Sequence, residues 1–262
     1  MASGELVVVK IGGSVITDKS RPFSLNEEVI RRLGSEIAEA SHDKSIILVH
    51  GGGSYAHPVA KKYSVAEGFK SAEHLKGFIE TSKAVRKLTL DVISKLTEGG
   101  LKAISLPAAA LFITRSGKIT SSNLEPIFSA IRMDVIPVTS GDVVFDRDLG
   151  FTVLSGDSIA AYLAMRLRAK RLIYVIDVDG VIIEDRVTGE TKVAEEYSRG
   201  MKLKSLAVNA EDVTGGIVNK LEEGFSALEA GVEVLIVNGL VEGRVEKAVR
   251  GEPVIGTRLS KS

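Results

Sequence analysis

The feature that most constrains this chain is an alternation. Short, continuous runs of Val, Ile and Leu take turns with longer stretches of helical periodicity, and several of the apolar runs end on glycine. The runs lie at 5–11, 45–50, 101–106, 134–138, 171–177 and 232–238, and most are apolar without a polar alternation. Strands of that texture belong in a sheet covered on both faces. Between them, 25–40, 72–96, 158–168, 216–230 and 241–250 read as helices. The first of these is opened by Ser24 with Glu27 three residues on, which predicts a capping box. Strands alternating with helices predict an α/β fold built on a mainly parallel, doubly wound sheet.

Two short segments break the alternation. At 143–154 a pair of short apolar runs flanks Asp146-Arg147-Asp148-Leu149-Gly150, and the polar patch 185–189 has the composition of a second hairpin tip. The 262 residues contain no tandem repeat, low-complexity tract or long linker, so any lobe boundary is compact, and it is placed near Ser155-Gly156.

Three glycine-bearing segments stand where a strand gives out: Lys10-Ile11-Gly12-Gly13-Ser14, His50-Gly51-Gly52-Gly53-Ser54, and Asp212-Val213-Thr214-Gly215-Gly216, which opens the helix carrying Lys220. An isolated Gly-Gly is most often a tight turn that topology requires. Three together describe a place where backbone N–H groups and helix N-termini can face oxyanions. Two neighbouring glycine-rich strand ends can hold two phosphates facing each other, the geometry of a phosphoryl transfer. Neither the Walker sequence nor the dinucleotide fingerprint is present. Composition narrows the chemistry further. Lys plus Arg balance Asp plus Glu at 34 each, so anion binding must be local, and no general field draws the chain to nucleic acid or an anionic membrane. With no cysteine, thiol catalysis and Cys-ligated zinc are excluded. The first residues lack a basic n-region and an apolar run of membrane length, which reads as an untargeted, cytoplasmic protein.

Most of the basic residues are solvated surface charges. Lys10 differs, because it ends the apolar run Val7-Val8-Val9 where an unpaired ammonium is costly, and so calls for an anionic partner. Asp177 and Asp179 permit two readings, a metal pair or, through Asp179-Gly180, a turn at a strand end. Of the four histidines, His42 and His74 read as structural or solvated and His50 as strand-end architecture, whereas His57 starts the helix after the second glycine run, beside Pro58.

Lys10-Ile-Gly-Gly-Ser14, Val49-His-Gly-Gly-Gly53, Ser155-Gly-Asp157, Asp177-Val-Asp-Gly180 and Asp212-Val-Thr-Gly-Gly216 with Lys220 follow the order seen in the amino-acid kinase superfamily, which the chain resembles over nearly its whole length. Within it, Ile16-Thr-Asp-Lys19 and Ser54-Tyr-Ala-His57-Pro58 look like the isopentenyl phosphate kinases, except that Tyr55 and Ala56 depart from the usual Ser-Phe-Gly-His.

The resemblance implies a three-layer αβα sandwich. Residues 1–155 would bind the acceptor and 156–262 ATP, in one compact unit. It implies that Lys10 and Lys220 contact the transferring phosphoryl group, that Asp157 holds both ammonium groups, and that Lys19 is a phosphate contact. Gly12, Gly13, Gly52 and Gly53 would supply backbone donors, with Gly156 and His57 at the acceptor phosphate. Asp177, Asp179, Gly180, Gly215 and Gly216 would shape the nucleotide site, Mg²⁺ would arrive on the nucleotide, and the protein itself would hold no metal. The substrates implied are ATP and isopentenyl phosphate, with an apolar acceptor wall within 69–96, and the assembly implied is a homodimer.

Overall fold

The computed structural model describes residues 4–18, 21–184, 190–201 and 216–261. Its strands are β1 (Glu5–Ile11), β2 (Lys44–His50), β3 (Ala103–Ser105), β4 (Phe112–Arg115), β5 (Lys118–Ser122), β6 (Ile136–Ser140), β7 (Asp142–Asp146) and β8 (Gly150–Leu154). The second half adds β9 (Arg171–Ile176), β10 (Ile182–Glu184), β11 (Thr191–Val193), β12 (Glu196–Tyr197), β13 (Glu233–Asn238) and β14 (Gly256–Leu259). Helices are α1 (Gly13–Ile16), α2 (Glu27–Ala40), α3 (Gly53–Lys62), α4 (Ala72–Glu98), α5 (Ala108–Leu111), α6 (Glu125–Arg132), α7 (Gly156–Arg166), α8 (Gly216–Glu229) and α9 (Arg244–Arg250).

Eight strands form one sheet in the order β12-β14-β13-β9-β1-β2-β6-β3. Every pairing in it is parallel except β13 with β14. Side chains alternate across a strand, so the apolar runs feed both faces. Val7, Val9 and Ile11 of β1 join Ile30, Leu33 and Ile37 of α2, Leu88 and Val92 of α4 and Val249 of α9 in one core. Val8 joins Ile127 of α6, Ile159 and Leu163 of α7 and Leu221 and Phe225 of α8 in the other. The result is the three-layer αβα sandwich with a largely parallel central sheet.

A second sheet, β5-β4-β7-β8, packs its strand β7 against α4 and α5. The turn Asp146 to Gly150 does join an antiparallel pair, β7 and β8. The strands flanking 185–189 also pair antiparallel, while the tip itself lies outside the described residues. The capping box at Ser24 and Glu27 does not form: Asn26 stands at the N-cap of α2 without a side-chain cap bond. Its amide donates instead to Val15 O at 3.0 Å, tying α2 to the turn after β1. The Ser155-Gly156 junction falls where β8 turns into α7, and both main cores draw residues from either side of it.

Candidate active site

Because β1, β2 and β9 are parallel neighbours, their carboxyl ends and the glycine turns after them share one edge of the sheet, where open α/β sheets place their ligands. Lys10, one residue from the end of β1, lies on the face covered by α7 and α8 and is 6% exposed. Asp157 sits in the first turn of α7, which is capped by Ser155 Oγ accepting from the Ser158 N–H at 3.0 Å. Lys220 lies in the second turn of α8.

Lys10 Nζ and Lys220 Nζ each lie 2.8 Å from the same oxygen, Oδ1 of Asp157. All three side chains are buried. Burial pushes the Asp157 carboxyl up, but the two ammonium groups overcome it and hold the carboxyl at about 2. Burial and the Lys10 charge bring Lys220 down to about 8, against the pull of Asp157. A structural ion pair needs one cation for one anion. Two cations here meet one carboxylate, which leaves a buried surplus of positive charge.

The glycine turns are packed against one another. A Cβ on Gly13 would stand 2.6 Å from Gly53 Cα, and one on Gly51 would stand 2.7 Å from Gly13 N. Thr17 stitches the turns together, donating to Gly13 O at 2.7 Å and accepting from Ser54 N–H at 3.0 Å. Gly13 and Gly53 open α1 and α3, where first-turn amides have no intrahelical acceptor. Gly12 is different: its N–H donates to Val175 O at 2.8 Å. The donor role anticipated for Gly12 is therefore corrected, since its amide is used by the sheet. The buried Ser54 hydroxyl has no hydrogen-bond partner among the described residues. Gly156 packs tightly, its absent Cβ falling 3.3 Å from Lys10 Cε and 3.1 Å from His50 O.

His57 lies in the second turn of α3, and its ring covers Gly52, with Nε2 3.5 Å from where a Cβ would be. Ala56 has ordinary helical backbone, so its departure from glycine introduces no strain. Tyr55 is buried, with its ring edge-on to Phe23 at 5.2 Å. His50 is strand-end architecture: Nδ1 bonds Gly51 O and Nε2 bonds Thr89 Oγ1, both at 2.9 Å. Burial, reinforced by the Lys10 charge, pushes it down to about 4, so the ring is neutral.

On the other side of β1, Asp177 is exposed just past β9. Asp179 accepts from Asn238 Nδ2 at 2.9 Å and Arg244 NH1 at 2.6 Å, which hold it below the usual carboxylate range. Gly180 has φ +153°, and a Cβ there would lie 2.5 Å from Thr257 Oγ1. Gly216 begins α8 with φ +56°. Lys19 and Gly215 lie outside the described residues. Among the described residues no cluster of three His, Cys, Asp or Glu side chains is arranged to hold a metal. Sequence reasoning missed Thr17, Asn238 and Arg244. The signal for Asn238 was available, because a polar residue followed by Gly239 ends an apolar strand, as at the other site turns.

A covered parallel sheet with glycine turns and two buried lysines on one aspartate at its carboxyl edge defines a class, and residues 5–238 match the amino acid kinase family, to which the chain belongs. Its relatives are more particular. It is 36% identical to isopentenyl phosphate kinase of Methanothermobacter thermautotrophicus over 97% of this chain and 99% of the relative. It is 31% identical to that of Methanocaldococcus jannaschii over 98% and 99%. A crystal structure of isopentenyl phosphate kinase superposes with a TM-score of 0.83 at 33% identity, covering 97% of this chain and all of the other.

Proposed function

We propose that this protein transfers the γ-phosphoryl group of ATP to the phosphate of isopentenyl phosphate, giving isopentenyl diphosphate and ADP. The observation that carries the reading is the buried pair Lys10 and Lys220 on one Asp157 oxygen, a site short of one anion. A phosphate oxygen of the acceptor attacks the γ-phosphorus as the bond to the ADP oxygen breaks. The attacking oxygen of the acceptor phosphate is already ionised at neutral pH, so no general base is needed, and catalysis is positioning and charge neutralisation.

In this reading Lys10 and Lys220 meet the transferring group and Asp157 keeps them apart and aimed. Lys19, His57 and the amides of Gly13, Gly52 and Gly53 take the acceptor phosphate, with Gly156 leaving room beside Lys10. Asp177, Asp179, Gly180, Gly215 and Gly216 border the nucleotide, so residues 1–155 serve the acceptor and 156–262 serve ATP. Mg²⁺ brought in with the nucleotide would offset part of the phosphate charge that Lys10 and Lys220 also meet. The working form is a cytoplasmic homodimer. No helix among the described residues is long and apolar enough to cross a membrane.

ADP release should be measured with isopentenyl phosphate, fosfomycin, N-acetylglutamate and aspartate as acceptors. Isopentenyl phosphate is expected to exceed the carboxylates in kcat/KM by about two orders of magnitude or more, since a site built for a polar group rejects analogues that leave its donors unpaired. Faster turnover of a carboxylate or of fosfomycin overturns the acceptor assignment, and nucleotide binding without any transfer overturns the enzyme.

A further inference from the structure

Tyr174 lies inside the apolar run of β9 and is fully buried, so by sequence it is one more core aromatic. Its surroundings say more. It pairs in register with Lys10 across the β1–β9 ladder. Lys220 Nζ stands over its ring, 4.8 Å from the centroid. Its hydroxyl donates to the backbone carbonyl of Asp157 at 3.4 Å. One side chain thus touches or adjoins all three members of the charged cluster. A leucine would fill the core and make neither polar contact.

We infer that Tyr174 is a positioning residue for phosphoryl transfer, its π face seating the Lys220 ammonium opposite Lys10 on Asp157. The charged groups facing Lys220 are Lys10 from β1 and Asp157 from α7, with Glu223 one turn further along α8 bonded to Ser158 at 2.6 Å. Two ammonium groups on one oxygen repel each other, and burial further disfavours the charged form of Lys220. A second carboxylate in direct contact with the two ammonium groups would relieve that repulsion, but it would also cancel the positive surplus and repel an incoming phosphate; Glu223 is instead engaged by Ser158. An aromatic face stabilises a cation through its quadrupole while adding no formal charge. It keeps the lysine protonated and the site anion-seeking.

This assignment rests on the reading that Lys220 meets the transferring phosphoryl group, so the test has one arm that needs no substrate. Tyr174 is replaced by phenylalanine and by a trifluorinated phenylalanine, which keeps the shape of the ring and removes most of its negative face. Lys220 is titrated by NMR in lysine-labelled protein, with Lys220→Arg for assignment, and the alkaline limb of kcat/KM is recorded on the same proteins. Relative to the phenylalanine variant, the fluorinated ring should move both the titration and the limb to lower pH by about 0.5–1 unit, the shift a desolvated cation–π contact corresponds to. An unchanged Lys220 titration overturns the seat. A titration that moves while the rate profile stays fixed leaves the seat but overturns its part in the reaction, and with it the role given to Lys220.

Discussion

At the scale of single residues the site is governed by charge, and its members should respond oppositely to neutralisation. Lys220 near 8 lies below its ordinary 10.5. Between those values the unfolded chain binds the proton more tightly, so the charged lysine costs stability at neutral pH, and the cost fades as pH rises through 8. Lys220→Met should therefore hold or raise the thermal midpoint at pH 7 while lowering kcat by roughly two orders of magnitude or more. Asp157→Asn should instead cost about 3–5 kcal/mol, because it leaves two buried ammonium groups without an anion. Thermal melts and initial rates on both variants check this pair, and a Lys220→Met protein weaker than Asp157→Asn contradicts it. His57 is tested through the acceptor. Losing a donor to a charged oxygen costs about 1.5–3 kcal/mol, so His57→Ala should be severely slowed with isopentenyl phosphate while folding normally. His57→Gln, which keeps a donor, should recover part of the rate. A destabilised His57→Ala protein whose folded fraction turns over normally would make the residue part of the scaffold.

Among the elements, the hairpins depend on one buried carboxylate. Asp146 accepts from the N–H groups of Ser116, Gly117, Asp148 and Leu149 at 2.9–3.1 Å, binding the β4–β5 turn to the β7–β8 turn. Burial pushes this carboxyl up, and the backbone donors hold it far below the usual range. Its contribution is therefore complete above about pH 5 and lost as acid protonates it below the unfolded value of about 3.9. Asp146→Ala should lower the thermal midpoint at pH 7 and flatten its fall in acid, and a variant that melts like the parent at both pH 7 and pH 3 would show the turns to be held by their own backbone. The β7–β8 hairpin could be read from the sequence because its apolar runs flank a polar, glycine-ended turn. Strand β5, Lys-Ile-Thr-Ser-Ser, could not, since four of its five residues are polar and nothing marks it as a strand. Helix α6 went unread beside it for a similar reason, being only eight residues long with a narrow apolar face. In the site, Lys10, Asp157 and Lys220 were legible through motif order, while Tyr174 was hidden because an aromatic inside an apolar strand already has a sufficient explanation in packing. The capping box failed because Asn26 found a tertiary partner in Val15 O that local spacing cannot reveal.

For the molecule as a whole, the glycine turns and the buried lysines share the carboxyl edge of the main sheet, while the smaller sheet packs its β7–β8 hairpin against α4. The small third core, Ala60, Val65, Val143 and Phe151, joins α3 and the short turn after it to β7 and β8, with Phe78 of α4 packed against it. Phe78 stacks on Phe151 at 4.6 Å and meets Phe145 at 5.5 Å, and Phe69 lies 6.2 Å from Phe151. These rings make an apolar wall between α4 and the hairpin, in the same small core as Ala60 of α3, the helix that carries Gly53 and His57. Ile79, the next residue, is 45% exposed and outside this stack. If the wall limits the acceptor tail, removing the Phe78 ring opens volume that the surrounding side chains only partly refill. Phe78→Ala should then raise kcat/KM for ten- and fifteen-carbon prenyl phosphates relative to isopentenyl phosphate by about tenfold or more, the effect of about 1.4 kcal/mol in relative transition-state binding. Ile79→Ala should leave that ratio unchanged. The same ring also supports the third core, so Phe78→Ala should melt earlier, and rates must be compared at a temperature where both proteins are folded. Chain-length preference that stays fixed in Phe78→Ala and shifts in Ile79→Ala would move the acceptor tail to the outer face of α4.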